Sequence, residues 1–496
     1  MAKVCSVREM RIVEENAKWL GVSEELMMEN AGAAVARAVE ELAAPPARVA
    51  VLAGVGGKAG DGLVAARHLA LKGYRVDVLF VESARRIAHP AARMNYSIVS
   101  RMLSIRVRER YGRWINSLSE YDVLVDAMLG TGFRPPLSEP YLTVIVRANS
   151  IDAVRVAIDV PSGVEPDTGS VEPTAFKADV TVTMHCPKPG LYREPGRSYA
   201  GRVVVADIGV PPEAEKLVGP GDVKYRLPPP DPRGHKGVNG RVLVVGGSRE
   251  YHGAPWLTAI AALEAGADLV YLAAPKTVLR DAYSPEIIPM EIPGERLQPA
   301  IVERLAKTAS GVDVVVIGPG MGREPETLEA FTRLLRVLEE MRARLVLDAD
   351  ALYALSASPR PIQTEAVLTP HLGEASRLLG SRIPDTLEDR VKAAREAAAR
   401  YNAVVLLKGW VDVVASPHGK YRLNVTGTPQ MTVGGTGDVL AGVLAALWCR
   451  VRDPYIAACL AAYVTGAAGR LAEEKYARVT ALRVAGEVPR VLRGEA

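Results

Sequence analysis

Cysteine, phenylalanine and unbalanced charge are all scarce in this chain of 496 residues. Its cysteines form no C-x-x-C pair, which argues against a zinc ribbon or a thioredoxin-type redox site; they are Cys5, Cys186, Cys449 and Cys459. So few cysteines suit a reducing cytoplasm, although intracellular disulfides do occur in hyperthermophiles. The 61 Lys and Arg residues against 57 Asp and Glu leave a net charge of only +4. No dense basic run is present, so we expect no nucleic-acid partner.

Long apolar runs are missing as well. The N-terminal segment carries Lys3, Arg8 and Arg11 where a secretory signal would need an apolar core. The longest apolar stretch, Val439–Cys449, is much shorter than the ~20 residues that span a bilayer. With 48% hydrophobic and 24% charged residues, the composition is that of a folded globular protein. We therefore expect a soluble, cytoplasmic protein with no membrane partner and with two or three domains.

The residues that are present form two successive blocks of alternating strands and helices. Short Val/Ile-rich runs in the first block lie at 48–53, 75–81, 123–126, 154–158, 179–184 and 202–206. In the second block they lie at 241–245, 269–273, 312–317, 344–347, 366–368, 404–407 and 411–415. Near-continuous apolar strands separated by helices indicate an α/β fold with parallel sheets covered on both faces. The Pro/Gly-rich segment 211–234 interrupts this rhythm and places a domain boundary near residue 220, which gives domains 1–220 and 221–496.

Three predicted strands of the first block end in glycine turns or aspartates. The segment Gly54–Gly62, GVGGKAGDG, follows the first strand, and its glycines would let the backbone approach a ligand at a helix N-terminus. Asp126 and Asp159 close two further strands, in the motifs DAMLGTG and DVPSG. Ligands bind at the carboxyl ends of strands in open α/β sheets, so these ends predict a site. Alternatively, the glycines are purely structural and each aspartate is only a helix cap.

Six motifs, taken together, resemble those of the NAD(P)H-hydrate epimerase domain. In chain order they are SVREM from Ser6, MENAG from Met28, GVGGKAGDG, DAMLGTG, DVPSG and HCPKPG from His185, over about residues 1–212. The resemblance implies a Rossmann-like fold. It also implies an activity, the interconversion of the R and S epimers of hydrated NADH and NADPH (NADHX and NADPHX) at C6 of the nicotinamide ring.

The resemblance also implies roles for individual residues of the first block. Asp159 would transfer a proton at its strand end. Lys188, in the turn PKPG, is a second candidate, or else a solvated surface lysine. The residues implied to line the substrate are Gly57, Lys58, Ala59, Gly60, Asp61, Gly130, Thr131, Gly132, Phe133, Arg134, Pro135, Pro136 and Asp159.

Three positions depart from the family loop, which reads G-x-G-N-N-G-G-D-G; at one of them, Ala59 replaces a Gly. Its second Asn helps to bind a potassium ion, together with the Asp and the Ser that match Asp126 and Ser162. Gly57 and Lys58 replace the two Asn here. Because an ammonium group has only donors, we expect no potassium ion at Lys58. We hypothesise instead that its ammonium takes the place of the ion against Asp126; alternatively, Lys58 points to solvent and the first site is inactive.

The second block carries an anion-binding turn near its end. The segment GGTGD, Gly434 to Asp438, precedes an apolar helix over Val439–Trp448. Glycines and a hydroxyl at a helix N-terminus suit a transferring phosphoryl group, and Asp438 would accept the proton of an attacking hydroxyl. A purely structural turn is the alternative.

This turn resembles that of the ribokinase-like superfamily, and seven further motifs resemble one branch of it, the ADP-dependent NAD(P)H-hydrate dehydratase domain. They are HKG from His235, GGS from Gly246, YHGA from Tyr251, GPGMG from Gly318, LDAD from Leu347, LTPHLGE from Leu368 and KG from Lys408. The resemblance covers about residues 228–490. It implies a ribokinase-like α/β domain that phosphorylates the 6-hydroxyl of the S hydrate with ADP, and then eliminates phosphate to restore NAD(P)H.

The residues that this resemblance implies fall into two groups. The hydrate would contact Ala254, Gly320, His371 and Asp438, with Asp438 as general base. The nucleotide would contact Lys408, Gly409, Trp410, Val411, Asp412 and Gly437, and the amides of Gly435–Gly437 would form the anion hole. Asp412 stands where the family usually has Thr. Two alternatives concern the neighbouring motifs: His371 is a ligand contact or a structural cap, and Asp348 with Asp350 either binds magnesium or caps a strand and a helix.

Taken together, the motifs predict a bifunctional repair enzyme that uses ADP and Mg²⁺ and assembles as a homo-oligomer. A different function for the same second fold is a small-molecule kinase, for example of a vitamin precursor alcohol. A different role for the first domain is a non-catalytic binding or assembly module, which the unusual Lys58 suggests.

Overall fold

The computed structural model describes residues 3–281 and 284–495. The chain divides into two units, Met1–Ala214 and Glu215–Ala496, close to the boundary expected near residue 220.

The first unit is built on one parallel sheet. Its strands are β1 (Arg48–Ala53), β2 (Arg75–Phe80), β3 (Ile105–Glu109), β4 (Val123–Ala127), β5 (Val154–Ile158), β6 (Val180–Met184) and β7 (Arg202–Ala206). They lie in the order β3-β2-β1-β4-β5-β6-β7, and every neighbouring pair is parallel. The six predicted strands are confirmed to within one residue at each end, and β3 is the one that was missed.

Helices cover both faces of this sheet. They are α1 (Val7–Trp19), α2 (Glu24–Glu40), α3 (Gly57–Leu71), α4 (Pro90–Val99), α5 (Tyr141–Asn149), the short α6 (Arg197–Ala200) and, at the end of the unit, α7 (Glu213–Lys216). Alternate residues of β1 enter different cores: Val49 and Val51 pack with α1 to α4, whereas Ala50 and Leu52 pack with α5. This alternation is what a sheet buried on both sides requires.

The glycine-rich segment after β1 is mostly helix rather than loop. Helix α3 begins at Gly57, so the segment forms its first turns. A side chain at Gly60 would clash with Met28, and one at Gly62 would lie 2.5 Å from the Cβ of Ala127. These two glycines therefore serve close packing of α3 on its neighbours, and the purely structural explanation holds for them.

The second unit has a larger, mixed sheet. Its strands are β8 (Arg241–Val245), β9 (Leu269–Pro275), β10 (Ile287–Ile292), β11 (Val314–Ile317), β12 (Leu345–Leu347), β13 (Ala366–Leu368), β14 (Val404–Leu407), β15 (Asp412–Ala415) and β16 (Tyr421–Asn424). They lie in the order β10-β9-β8-β11-β12-β13-β14-β15-β16, parallel except at β14/β15 and β15/β16. The predicted strands are confirmed to within two residues, and the two edge strands β10 and β16 were missed.

The second sheet is likewise covered on both faces. Its helices are α8 (Pro220–Arg226), α9 (Gly253–Glu264), α10 (Lys276–Asp281), α11 (Val302–Ala309), α12 (Pro325–Glu340), α13 (Asp350–Ala357), α14 (Leu372–Leu379), α15 (Leu387–Tyr401), α16 (Thr436–Val451), α17 (Pro454–Lys475) and α18 (Ala481–Leu492). Val242 and Val244 of β8 pack with α9, α16 and α17, and Leu243 and Val245 pack on the opposite face with α12 and α13.

The longest apolar helix is α17, whereas the sequence singled out the helix over Val439–Trp448. Within the described residues, α17 is the one helix whose length and composition would allow it to cross a membrane, with a mean hydropathy of 1.3. Buried positions make up 83% of that apolar window, and α17 packs against α16 and α18 in the core of the unit. Its hydrophobicity is explained by this burial.

A disulfide joins Cys5, just before α1, to Cys186 in the loop after β6. The cysteine count alone did not predict this bond. The other two cysteines, Cys449 and Cys459, are free and buried, and burial raises the pKa of each thiol to about 12.

Reducing this disulfide is expected to lower the stability of the first unit. The two cysteines are 181 residues apart, and a cross-link over so long a loop restricts the unfolded chain by about 2–5 kcal/mol. Chemical denaturation of the full-length protein with and without reductant measures the difference. Cys5→Ser should show the same loss, and reductant should not destabilise that variant further; unchanged stability in both experiments would contradict the expectation.

Candidate active sites

The first candidate site lies where the strand order of the first sheet changes direction. β1 and β4 are neighbours there, although the chain continues from β1 to β2 on one side and from β4 to β5 on the other. Ligand sites of open α/β sheets form at the carboxyl ends of strands at such a point. Asp126 near the end of β4 and Asp159 directly after β5 both lie at this edge.

Lys58, in the first turn of α3, points into the protein at this edge. Its Nζ donates to Asp126 Oδ2 at 2.9 Å and contacts Ser162 Oγ at 3.2 Å. It also donates to the backbone carbonyls of Leu129 at 3.1 Å and Val160 at 2.8 Å. Only 7% of Lys58 is exposed, so the alternative in which it points to solvent is wrong.

The carboxylate of Asp126 is completely buried and fully engaged. Its Oδ1 accepts from Ser162 Oγ at 2.6 Å and from the Met128 amide at 3.1 Å, and its Oδ2 accepts from the Ser162 amide at 2.7 Å as well as from Lys58. A buried carboxylate needs such hydrogen bonds together with an opposite charge. Lys58 supplies that charge.

Asp159 and Lys188 form a second ion pair at the same edge. Lys188 Nζ donates to Asp159 Oδ1 at 2.5 Å and to the Met184 carbonyl at 3.1 Å. Only 1% of Lys188 is exposed, so the description of it as a solvated surface lysine is wrong. Asp159 has a φ of +61°, a conformation that non-glycine residues seldom adopt.

Two further carboxyl groups face this pair. Burial raises the pKa of Glu14, on α1, to about 7; the nearby Asp159 carboxylate adds to the rise and the Lys188 ammonium opposes it. Burial, together with the charges of Asp159 and Glu14, raises the pKa of Asp61 well above its usual range. The sequence motifs included Asp61 but not Glu14, because no local pattern on α1 indicates that it faces strands so distant in the chain.

The remaining predicted residues of the first unit contact the site in different ways. Ala59 and Gly60 are buried within α3, so they can meet a ligand only through their backbone. The turn over Gly130–Pro136 is mostly half-buried or exposed, and Gly130 lies beside the side chain of Lys58. In that turn Arg134 pairs with Glu165 at 3.2 Å.

The second candidate site surrounds the GGTGD turn. Gly435 is the N-cap of α16 with a φ of +94°, and Thr436 begins the helix, so the first-turn amides point out of the helix end as predicted. Burial raises the pKa of Asp438 in this turn to about 7, and the nearby carboxylates of Asp348, Asp350 and Glu374 add to the rise.

Lys408 lies beneath this helix end. A side chain at Gly437 would lie 3.1 Å from its Nζ. The Nζ donates to Asp348 Oδ1 at 2.8 Å, and Thr369 Oγ1 donates to the same oxygen at 2.7 Å. Burial lowers the pKa of Lys408, but the Asp348 and Glu374 carboxylates outweigh it and raise the pKa overall. The structure thus places a lysine ammonium and helix amides on one side of Asp438.

Protein groups already engage both aspartates of the LDAD motif. Asp348 binds Lys408 and Thr369, and Asp350, the first residue of α13, accepts from the Gly322 amide at 3.0 Å and from Arg323 Nε at 2.7 Å. Among the residues that the structure describes, no group of three or more His, Cys, Asp or Glu could hold a metal ion. Both carboxylates are therefore engaged by other protein groups, and no side chain within the described part of the chain caps the N-terminus of α13.

Two side chains, Arg390 and Asp412, hold the loop after β14 in place. The buried Arg390 donates to the Lys408 carbonyl at 2.6 Å and leaves no room for a side chain at Gly409. Asp412 accepts from the Gly409 amide at 2.9 Å and from Asn424 Nδ2 at 2.9 Å, so its carboxylate braces this loop.

Other predicted residues of this loop and its neighbours are distributed between surface and core. Trp410 is 61% exposed and Val411 is buried. His371 Nδ1 accepts from the amides of Gly373 at 3.0 Å and Glu374 at 3.4 Å, so His371 is the N-cap of α14. Its backbone also pairs with that of Lys408.

Ala254 and Gly320 meet where the second sheet changes direction, between β8 and β11. Gly320 has a φ of +61°, and a side chain there would lie 3.5 Å from the Cβ of Ala254. One turn further along α9, Leu257 packs directly against Gly435 of the GGTGD turn. The elements that carry the predicted dehydratase residues are thus packed together.

Comparison with known proteins agrees with this two-part organisation. The family model described as NAD(P)H-hydrate dehydratase matches residues 242–490, and the one described as YjeF-related protein N-terminus matches residues 24–190. A hypothetical protein from Streptococcus mutans has a structure similar to the second unit, with a TM-score of 0.50 and 26% identity over 56% of this chain and 99% of its own. A ribokinase-like superfamily protein from Enterococcus faecalis is similar in fold, with a TM-score of 0.50 and 23% identity over 57% of this chain and 96% of its own.

These matches define an α/β protein in which a Rossmann-like unit precedes a ribokinase-like unit, as the sequence predicted. Relatives similar over the full chain narrow the class further. A protein from Hyperthermus butylicus is 43% identical over 99% of this chain and 93% of its own length, and one from Pyrobaculum aerophilum is 44% identical over 99% and 98%. Both are named bifunctional NAD(P)H-hydrate repair enzyme. The chain belongs to this family.

Replacing Gly409 with Ala is expected to destabilise the second unit. The new methyl group would meet the guanidinium of Arg390, which cannot move away because it is buried and bonded to Asp385 and the Lys408 carbonyl. Such overpacking costs about 1–3 kcal/mol, which chemical denaturation would measure. Gly311→Ala is the control, since a methyl group there meets only ordinary contacts; equal effects of the two substitutions would refute the packing argument.

Proposed function

We propose that the chain repairs hydrated nicotinamide cofactors with two activities. The first unit equilibrates the R and S epimers of NADHX and NADPHX, and the second converts the S epimer to NADH or NADPH at the expense of ADP. The observation that carries the proposal is the position of Asp438, whose pKa is raised to about 7, in the glycine turn that lies against Lys408. The full-length similarity to proteins named for this repair supports both activities.

The proposed chemistry of the second unit is phosphoryl transfer followed by elimination. Asp438 takes the proton of the 6-hydroxyl while that oxygen attacks the terminal phosphorus of ADP, and AMP leaves. The amides of Gly435–Gly437 and the ammonium of Lys408 stabilise the charge on the transferring group. The C6–O bond then breaks, phosphate departs and C5 loses a proton, which forms the C5–C6 double bond of NAD(P)H.

Mg²⁺ would accompany the nucleotide rather than reside in the protein. Asp348 and Asp350 are engaged by Lys408 and Arg323, so they do not form a ready cage. Mg²⁺ commonly binds through substrate phosphates with one or two carboxylates. Bound in that way, it would neutralise phosphate charge beside Lys408.

In the first unit we propose that Asp159 and Glu14 handle protons at C6. This carbon bears both the hydroxyl and the ring nitrogen N1. Its inversion requires the C6–N1 bond to break: the hydroxyl loses a proton as C6 becomes an aldehyde, and N1 gains a proton. N1 then adds to the other face of the aldehyde, and both proton transfers are reversed. Asp159, held by Lys188, is the proposed acceptor. Burial raises the pKa of Glu14 to about 7, so that about half of its carboxyl groups carry a proton at neutral pH, and Glu14 is the proposed donor.

Two alternatives are less well supported. A ribokinase-like kinase of a small alcohol would explain the GGTGD turn, but it would explain neither the Asp159–Lys188 pair nor the full-length similarity to repair enzymes. A non-catalytic first unit would not require an aspartate at positive φ beside carboxyl groups whose pKa values are raised.

We also propose a cytoplasmic location and a homo-oligomeric state. We propose that this assembly has no nucleic-acid or membrane partner and acts only on the small molecules NADHX and NADPHX. Light scattering coupled to size-exclusion chromatography would establish its mass.

The direct test follows absorbance at 340 nm as the full-length protein meets a mixed R/S NADHX pool with ADP and Mg²⁺. Recovery of the whole pool faster than spontaneous epimerisation supports both activities. Recovery that stops after the S fraction would limit the proposal to the second unit. A stable phosphorylated alcohol without NADH would favour a kinase instead.

The dehydratase rate is expected to rise with pH through about 7. Asp438 acts as a base only when it is ionised, and its pKa is raised to about 7. kcat/KM should therefore increase roughly tenfold between pH 6 and pH 8 and then level off. Asp438→Asn should lose about 10²–10⁴-fold in rate and also lose this profile. Glu388→Gln, an exposed carboxylate of the same unit, is the control; a full rate in the Asn variant would exclude Asp438 as the base.

Asp159→Asn is expected to abolish epimerisation while leaving the dehydratase rate intact. The amide keeps the size of the side chain but cannot accept the proton. The ratio of R to S epimers, followed by chromatography, measures the loss. Asp152→Asn, at an exposed site of the same unit, should behave as the wild type. Unchanged epimerisation in the Asp159 variant would support a binding role for the first unit.

A further inference from the structure

The ammonium of Lys58 occupies a closed pocket of oxygen atoms. The pocket consists of Asp126 Oδ2, Ser162 Oγ and the carbonyls of Leu129 and Val160, all 2.8–3.2 Å from Nζ. The side chain of Lys58 is 4% exposed and that of Asp126 is completely buried. Four oxygens around one buried centre are a coordination shell for a cation, since carboxylate, hydroxyl and backbone carbonyl oxygens are the groups that replace water around a hard ion.

A free potassium ion does not fit this shell in the wild-type chain, because the ammonium already fills its centre. Lysine offers three donors and no acceptor, so Lys58 cannot act as a ligand to the ion. The potassium site implied by the family loop is therefore absent, and no step of the reaction passes through such an ion here.

The pocket connects the Lys58 ammonium with two parts of the proposed epimerase site. Leu129 directly precedes Gly130 of the turn over Gly130–Pro136, and Val160 directly follows Asp159. A charge that holds both carbonyls therefore fixes the turn and the position of Asp159 together. Asp126 anchors the assembly by also binding the amides of Met128 and Ser162.

We propose that Lys58 is a tethered cation that makes the first unit independent of free monovalent cations, and that removal of its charge opens a potassium site formed by Asp126, Ser162 and the carbonyls of Leu129 and Val160. The link to epimerisation rests on the proposed function; the cation site itself does not.

Two substitutions at one position separate the roles of charge and ligand. Lys58→Asn removes the ammonium and offers an amide oxygen to an incoming ion. Lys58→Met removes the ammonium, fills the space of its stem and offers no oxygen. Lys72→Met is the matched control, because Lys72 forms an exposed ion pair with Glu40 in the same unit.

The readout is the thermal unfolding midpoint of the full-length protein in KCl and in choline chloride at equal ionic strength. We expect the same midpoint in both salts for the wild type and for Lys72→Met. Lys58→Asn should unfold at a higher temperature in KCl than in choline chloride, with a saturable dependence on potassium concentration. Lys58→Met should unfold at a lower temperature than the wild type in both salts.

A wild type that is itself stabilised by KCl over choline chloride would overturn the proposal, and this arm needs no variant to fold. Equal responses of the Asn and Met variants would overturn it as well. Epimerisation rates in the two salts form a separate arm: they should be equal for the wild type and dependent on potassium for Lys58→Asn. If no epimerisation occurs but Lys58→Asn gains the potassium response, the proposed function of the first unit fails and the cation site stands.

Discussion

In each unit, a lysine neutralises a buried carboxylate at the carboxyl edge of parallel strands. Lys58 pairs with Asp126 at 2.9 Å, and Lys408 pairs with Asp348 at 2.8 Å. An isolated charge in either place would cost several kcal/mol. Strand ends converge at these edges, and the lysines allow acidic residues to be placed there without unfolding the site.

Each ion pair has further carboxyl groups beside it that it does not neutralise. In the first unit Glu14 and Asp61 face ions that are already paired, and in the second unit Asp438 and Glu374 do the same. Burial and like charges raise the pKa of each of these groups. Each site thus combines a fixed anion with a carboxyl group that exchanges its proton near neutral pH. Such a separation of pKa values assigns different roles to neighbouring acids.

The sequence predicted the central strands and the edge strand β7 well, but it missed the other three edge strands. Central strands are buried on both faces, so they read as unbroken apolar runs, such as Arg241–Val245. The edge strands β3, β10 and β16 contain charged residues or a proline, as in IRVRE and IIPMEI, because one side of each has no neighbouring strand.

In the candidate sites, residues with a local sequence motif were predicted, whereas most contacts between distant segments were not. Motifs at strand ends indicated Asp126 and Asp159, and the glycine turn at the start of α16 indicated Asp438. The contact of Lys58 with two backbone carbonyls, the burial of Lys188 and the approach of Glu14 could not be read from spacing. The Lys58 contacts join residues that lie more than 70 positions apart in the chain. The other features likewise depend on how distant segments pack, or on the burial that this packing produces.

The bond between Cys5 and Cys186 also gives the first unit an unusual covalent topology. It closes a ring that contains every strand of the first sheet except β7. A protease that cuts one surface loop inside this ring does not release a fragment, since both pieces stay joined through sulfur. The nicked chain would migrate as a single species on a denaturing gel until reductant is added. A single cut in a loop inside this ring is therefore not detected on a denaturing gel that is run without reductant.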